Sequence, residues 1–261
     1  MSISLSVIGG GNMAKAIIAG AIKGGILAKS EIAVADPEKS SRLFFDQLGC
    51  ATYPSATELP KAKCSLLAVK PQIFELIANE INAEVVYSIM AGVATEQIAK
   101  AVGHSRIIRI MPNLPCSIAR GAAGIALGEG ATDDDAALAR KLFSAIGIAV
   151  EVREDLMNAV TAVSGSGPAY LFMLAEAMIQ GGVEAGLSIE TATTLVQQTV
   201  LGASELLVQD SRSAGKLREA VTSKGGTTAA ALECMNEREV PKAIVEAVLA
   251  ARNRGQELSS V

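Results

Sequence analysis

The chain has 261 residues, half of them hydrophobic, with 3% aromatics and no Trp, which suffices for one large or two modest domains cored by Ala, Val, Ile and Leu. A formal net charge of −4 without a basic run argues against nucleic acid as a partner. No run is long and apolar enough to span a membrane.

In chain order, residues 4–8 read as a strand and 12–23 as a helix, then 31–35 as a strand and 36–48 as a helix. Residues 65–69 form a buried strand followed by a helix from Pro71, and strands over 85–89 and 106–110 flank a helix over 95–102. Segments 121–127 and 147–152 are expected to pair at one edge, with a helix over 133–146 between them. Strands alternating with helices predict a mostly parallel sheet covered on both faces, an α/β Rossmann-type doubly wound domain over residues 1–152. Strand signals then stop, and 155–163, 168–185, 188–209, 214–221, 227–235 and 240–253 all carry helical periodicity. Residues 153–261 are therefore expected to be all-helical, with Ser188 as an N-cap. These helices carry Ala, Val and Leu on more than one face, which points to a partner surface and a homodimer.

The four cysteines, Cys50, Cys64, Cys116 and Cys234, form no CxxC pair, and the N-terminal MSISLSVIGGG has no basic leader. Reduced thiols in a cytoplasmic protein are the expectation. The single histidine, His104, lies outside every other cluster, so no metal site and no Ser-His-Asp triad is expected.

Gly9-Gly10-Gly11-Asn12-Met13-Ala14 is a G-x-G-x-x-A pattern that follows a strand and opens a helix, the context that gives the motif meaning. Gly9 permits the turn, Gly11 lets a pyrophosphate approach the backbone, and Ile8, Asn12 and Met13 flank the contact. Asp36 ends the second strand, where an acid bonds a ribose 2′-hydroxyl and favours NAD; Asp36-Pro37 is equally good helix-start chemistry. Lys39, Ser40 and Arg42 could hold a 2′-phosphate, leaving NADPH and NADH both open. Ala68, Val69, Lys70 and Pro71 lie at a strand's C-terminal end, where such sheets bind ligands. Asn113 follows a later strand and could bond a nicotinamide carboxamide or its own backbone.

Near the other end, Gly225 and Gly226 sit between hydroxyl residues at the mouth of an apolar helix. Exposed N–H groups there, with those of Thr227, form a small anion cradle beside the Thr228 hydroxyl. The alternative is that Thr227 or Thr228 simply caps the helix. Beside a dinucleotide fingerprint, the cradle suggests a reductase of a small acid. Ser164-Gly165-Ser166-Gly167-Pro168 is read as a structural helix start, with Ser166 capping and glycines for close packing.

The segments VIGGGNMAKAI, AVKPQ, RIMPN, SGSGPAY and VTSKGGTTAAAL together resemble the pyrroline-5-carboxylate reductase family, across essentially the whole chain. The resemblance implies a Rossmann domain followed by a helical domain, interlocked homodimers often assembled into decamers, and reduction of 1-pyrroline-5-carboxylate to L-proline, usually with NADPH. It also implies that Thr228 lies near the ring nitrogen as proton donor or orienting group, with Val221, Thr222 and Ser223 lining the ring pocket. Lys224 stands where that family usually has Pro, a change that loosens the loop and adds a charge. Two other readings stay open: a reductase of another cyclic imine or keto acid, and a non-catalytic NAD(P) sensor.

Overall fold

The structure, a computed structural model, describes residues 2–259. Eight strands form one sheet: Ile3–Ile8 (β1), Ile32–Ala35 (β2), Ala51–Tyr53 (β3), Ala62–Leu67 (β4), Ala83–Ser88 (β5), Ile107–Met111 (β6), Gly121–Leu127 (β7) and Gly147–Glu151 (β8). Their order is β3-β2-β1-β4-β5-β6-β7-β8, and every pair is parallel except β6 with β7. Val7 of β1 lies between Val34 and Leu66, so the first strand stands at the point where the winding reverses. Ligands of such sheets bind outside the carboxyl ends of the strands at that reversal.

Helices Asn12–Lys23 (α1), Lys39–Leu48 (α2), Pro71–Ile77 (α3), Thr95–Val102 (α4) and Asp133–Ser144 (α5) cover the sheet. One face buries Leu5, Val7, Ile17, Phe45 and Phe143; the other buries Ile8, Leu67, Phe74, Ile98 and Ile107. Each fully buried side chain of this kind contributes about 1.5–3 kcal/mol. Residues 5–8 of β1, 64–67 of β4 and 85–88 of β5 are buried on both faces, the serines among them included, as in a parallel sheet covered on both sides.

Several details differ from the sequence expectation. Helix α2 starts at Lys39 rather than 36, because the Asp36 carboxylate is engaged elsewhere. The three-residue edge strand β3 was not anticipated; its residues are exposed or half-buried and carry no apolar run. Residues 155–163 are not one helix but a 3₁₀ turn over Glu154–Leu156, a short helix Met157–Val160 (α6) and a π-turn over Thr161–Gly165.

Contacts divide the chain into two compact units. The first runs to Ser166 and resumes at Leu249; the second is Gly167–Val248. The expected boundary lay after Val152, but residues 153–166 stay with the sheet unit. Met157 and Ala162 are fully buried, and Glu154 pairs with buried Arg109 at 2.9 Å while accepting the Thr95 N–H.

The second unit is helical: Gly167–Glu184 (α7), Ile189–Gln209 (α8), Ala214–Ala220 (α9), Thr227–Glu237 (α10) and the first part of Val240–Ser259 (α11). Ser188 caps α8 by accepting the Thr191 N–H. Gly182 allows α7 and α8 to approach, since a Cβ there would come within 3.1 Å of the Ala192 Cβ. Among the described residues, no helix is long and apolar enough to cross a membrane.

Candidate functional site

The Gly-rich loop is built by the ends of β1, β2 and β4. The Gly9 N–H donates to the Ala35 carbonyl at 2.9 Å, and the Ala68 N–H donates to the Ile8 carbonyl at 2.8 Å. Gly9 has φ +100°, and a Cβ there would lie 2.6 Å from the Ala68 carbonyl oxygen, so both the conformation and the space demand glycine. Gly11 is the N-cap of α1, with no side chain bonded to the first N–H groups of the helix. A Cβ at Gly11 would enter open space. A helix N-terminus left free behind a glycine that a ligand can approach fits a dinucleotide pyrophosphate. Asn12 is exposed and Met13 half-buried in the same turn, while Ile8 is buried beneath it.

Asp36 fastens this loop. Its Oδ2 accepts the Gly10 N–H at 2.6 Å and its Oδ1 accepts the Glu38 N–H at 2.8 Å. It is not the N-cap of α2, a place taken by Glu38, so the helix-start alternative does not account for it. The Arg42 guanidinium donates to the Asp36 and Pro37 carbonyls at 2.5 and 2.8 Å, which holds a cation at the end of β2. Lys39 and Ser40 are exposed beside it.

Ala68, Val69 and Lys70 follow β4 and become progressively more exposed; Lys70 is the N-cap of α3 and Pro71 its first residue. Asn113 follows β6, but its amide is engaged at both ends within the chain. Its Oδ1 accepts the Ala122 N–H at 2.9 Å and its Nδ2 donates to the Ser164 carbonyl at 3.1 Å.

In the helical unit, the turn after α9 carries the second cluster. Gly225 has φ +69°, and the Gly226 N–H donates to the Ser223 carbonyl at 3.0 Å. A Cβ on Gly226 would meet the Ser223 Oγ at 2.3 Å, so this glycine lets Ser223 fold over the turn. Gly226 is the N-cap of α10, and no side chain caps that helix. Neither Thr227 nor Thr228 spends its hydroxyl as a cap, so the capping alternative falls away. The Thr222 hydroxyl donates to the Arg218 carbonyl at 2.6 Å, which orients that side chain along α9. Val221, Ser223, Lys224 and Thr227 are exposed, and Thr228 is half-buried.

Other reactive side chains are held out of play. Burial pushes the Cys50, Cys64 and Cys116 thiols up, and it raises the Tyr87 phenol, which donates to the Asp135 carbonyl. A groove of about 370 Å³ beside β7, β8 and α6 is lined by residues such as Ala122, Val150, Val160 and Val163, with Ser164 its one hydroxyl. It offers apolar surface, not acid–base chemistry. No group of three or more His, Cys, Asp or Glu side chains among the described residues could hold a metal ion.

Sequence reasoning did not single out the Arg109–Glu154 pair or the partners of Asn113. Arg109–Glu154 and Asn113–Ser164 join segments more than forty residues apart, and the Ala122 N–H meets Asn113 across the β6–β7 connection, so no local sequence pattern marks them.

Residues 154–258 match the family model described as pyrroline-5-carboxylate reductase dimerisation, and residues 4–92 match one described as NADP oxidoreductase, coenzyme F420-dependent. The pyrroline-5-carboxylate reductase of Synechocystis is 41% identical, with 99% of each chain covered. The solved structure of a pyrroline-5-carboxylate reductase from Coxiella burnetii is 36% identical, superposes with a TM-score of 0.92 and covers 99% of both chains. The Plasmodium falciparum pyrroline carboxylate reductase, solved with NADP bound, is 27% identical with a TM-score of 0.86 and covers 98% of both chains.

Proposed function

This chain belongs to the pyrroline-5-carboxylate reductase family, an NADP-dependent oxidoreductase that reduces 1-pyrroline-5-carboxylate to L-proline, and we propose how its residues divide that work. The observation that carries the reading is a pair of glycine-led helix starts, α1 behind Gly11 and α10 behind Gly226, neither closed by a side chain. Each offers N–H groups to an anion, one to a pyrophosphate and one to a carboxylate.

At the first, Gly9, Gly11, Asn12 and Met13 take the pyrophosphate against Ile8. Ala68, Val69, Lys70 and Pro71 line the way toward the nicotinamide. Asp36 holds the loop through Gly10, and Arg42, with Lys39 and Ser40, supplies the groups for a 2′-phosphate. When bound, the reduced dinucleotide supplies a hydride to the C=N carbon of the ring.

At the second, the N–H groups of Gly225 and Thr227 hold the substrate carboxylate, while Gly226, whose own N–H stays on the Ser223 carbonyl, shapes the cradle between them. Val221, Thr222 and Ser223 line the ring and exclude water. The Thr228 Oγ hydrogen-bonds the ring nitrogen, either donating its proton or fixing the nitrogen of an imine that arrives protonated. The electron pair of the C=N bond ends on that nitrogen, which becomes the ring amine of proline; if Thr228 gives the proton, solvent returns one to its hydroxyl.

We further propose a homodimer, the state that the dimerisation segment and the unburied helices support. Decamers would be its larger assembly, and residues 153–261 its substrate-binding and dimerisation part. Free cysteines support a cytoplasmic setting.

The test follows NADPH oxidation on adding 1-pyrroline-5-carboxylate, with NADH in parallel. Turnover with proline appearing is the expected result, and the ratio of the two rates reads the balance between Asp36 and Arg42. NADPH binding without turnover would instead favour another imine or a sensor. Thr228→Ala should slow turnover on the order of 10²-fold if the hydroxyl donates the proton, and about tenfold or less if it only orients the nitrogen. Unchanged kinetics would remove Thr228 from the mechanism.

A further inference from the structure

Each of the four polar groups of Asp36 has a partner within the sheet unit. Its N–H donates to the Tyr53 carbonyl of β3 at 3.1 Å, and its carbonyl accepts the Arg42 Nη1 at 2.5 Å. Its two carboxylate oxygens accept the Gly10 and Glu38 N–H groups, at 2.6 and 2.8 Å. The Gly-rich loop is shaped to this carboxylate. Gly10 fills a place in the G-x-G-x-x-A pattern that is free to vary, and it is not among the residues of positive φ. A Cβ there would nevertheless come 3.0 Å from the Phe45 Cε2 and 3.2 Å from the Asp36 Oδ2, so the space under the carboxylate calls for glycine. Arg42 is fastened from the same residue. Its Nη1 bridges the Asp36 and Pro37 carbonyls, two neutral acceptors, and it forms no ion pair among the described residues. A guanidinium oriented through one nitrogen keeps its charge, and the rest of its fork, for an anion such as a phosphate.

An acid at the end of the second strand of such a sheet ordinarily accepts the ribose 2′-hydroxyl and so selects NAD. Here the same acid is turned onto its own backbone. We propose that Asp36 is a positioning residue for the dinucleotide as a whole: it sets the Gly-rich loop and the Arg42 guanidinium before the ligand arrives, and Arg42 alone reads the 2′ position. The role rests on the reductase reading above. Asp36 then weighs equally on NADPH and NADH, and the ratio between them answers to Arg42.

The test measures the NADPH and NADH Kd values by nucleotide fluorescence, beside the melting temperature of the nucleotide-free protein. Asp36→Asn keeps one acceptor oxygen and turns an NH2 toward the other N–H, so one of the two backbone bonds is lost. Both Kd values are expected to weaken about tenfold, the worth of roughly one hydrogen bond, with their ratio held within about twofold. Gly10→Ala presses a Cβ on the same carboxylate from the loop side and should weaken both in the same proportion, which keeps the test standing if Asp36→Asn does not fold. Arg42→Ala should weaken NADPH about tenfold or more and NADH about threefold or less. Nucleotide at saturation should fill as many sites in each variant as in wild type. Four results would overturn the role: NADH weakened alone in Asp36→Asn, the mark of a ribose acceptor; Kd values unmoved in both Asp36→Asn and Gly10→Ala; equal losses of NADPH and NADH in Arg42→Ala; or fewer sites with unmoved Kd values and a lower melting temperature, the mark of a merely structural clasp. A wild type that binds neither nucleotide would sink the reductase reading itself, whereas a wild type that binds NADPH beside any of those four results sinks only this role.

Discussion

The sheet unit closes its own core and the helical unit does not. Leu5, Ile17, Ile32, Phe45 and Tyr87 have no measurable exposure, and the sheet buries side chains on both faces. In Gly167–Val248, the buried apolar residues among those described are Ala192 and Val196 alone. Phe172 is 60% exposed and Val208 85%, and α7, α9 and α10 hold no buried residue. Helices gain most of their stability from packing an apolar face. The sheet unit can therefore shape its Gly-rich loop from within a single chain, whereas the helices that carry Thr228 leave apolar side chains uncovered, the surface on which the proposed homodimer would close.

The largest expected effect breaks that comparison at its weak side. Phe172→Glu places a carboxylate on the α7 face that the partner copy would cover, at a cost of about 3–5 kcal/mol for an unpaired buried charge. Wild type should sediment as a dimer or larger. The variant should sediment as a monomer with reduced helical circular dichroism, while NADPH still quenches or enhances fluorescence through the intact sheet unit. A variant that stays dimeric and fully helical would show that this face is not the one covered.

Legibility in the sequence followed the same divide. Strands β1, β2, β4 and β5 were legible because short apolar-rich stretches such as Ile32–Ala35 and Leu66–Leu67 lie between helix signals, and the edge strand β3 escaped because Ala51–Tyr53 is short and largely open to solvent. Apolar spacing also cannot separate a bond to the fourth residue from one to the fifth, so the π-turn at Thr161–Gly165 read as plain helix. At the site, the glycines were legible because φ > 0 or a close approach leaves few other choices, as at Gly9 and Gly225. The partners of Asn113 were not, because Ala122 and Ser164 reach it only through the folded sheet. The distinction between Asp36 as cap and Asp36 as loop clasp likewise depended on Gly10, a residue from another strand end.

A mid-sized effect sharpens the strong side. Gly9→Ala must hold φ near +100° and set its Cβ against the Ala68 carbonyl, which costs about 1–3 kcal/mol of local strain. Melting temperature should fall, and NADPH affinity should drop by about tenfold or more. Gly11→Ala has open space for its Cβ and should melt like wild type while still binding NADPH more weakly. Equal losses of stability in both variants would mean that the loop answers to folding alone, with no separate contact to the dinucleotide. The proposed dimer should survive either change, because the strain is confined to the sheet unit.

The smallest effect uses pH to weigh the two units against each other. Asp135 opens α5 under a capping box with Thr132, and its carboxylate takes both Arg106 Nε and Nη2, at 3.1 and 2.5 Å. The Arg106 hydrogen bonds hold its pKa at about 2, below the usual 3.8, against the opposing pull of burial. Because the folded value is the lower one, the stabilisation is complete above 3.8 and is lost as pH falls toward about 2. With Arg106 partly in solvent, its worth is about 1–2 kcal/mol. Asp210, at the end of α8, is also held at about 2, by Arg212, but it lies at the surface and bonds only to a neighbour two residues away. Asp135→Asn should therefore lower the melting temperature at neutral pH and flatten its decline between pH 3.8 and 2, whereas Asp210→Asn should leave both nearly unchanged. The Asp135 clasp also fixes the Tyr87 hydroxyl under α5, so near-ultraviolet circular dichroism of the tyrosines should register its loss. If both variants shift the acid limb equally, local carboxylate pairs matter as much to the helical unit as to the sheet, and the contrast between a closed and an open core would have to be carried by apolar burial alone.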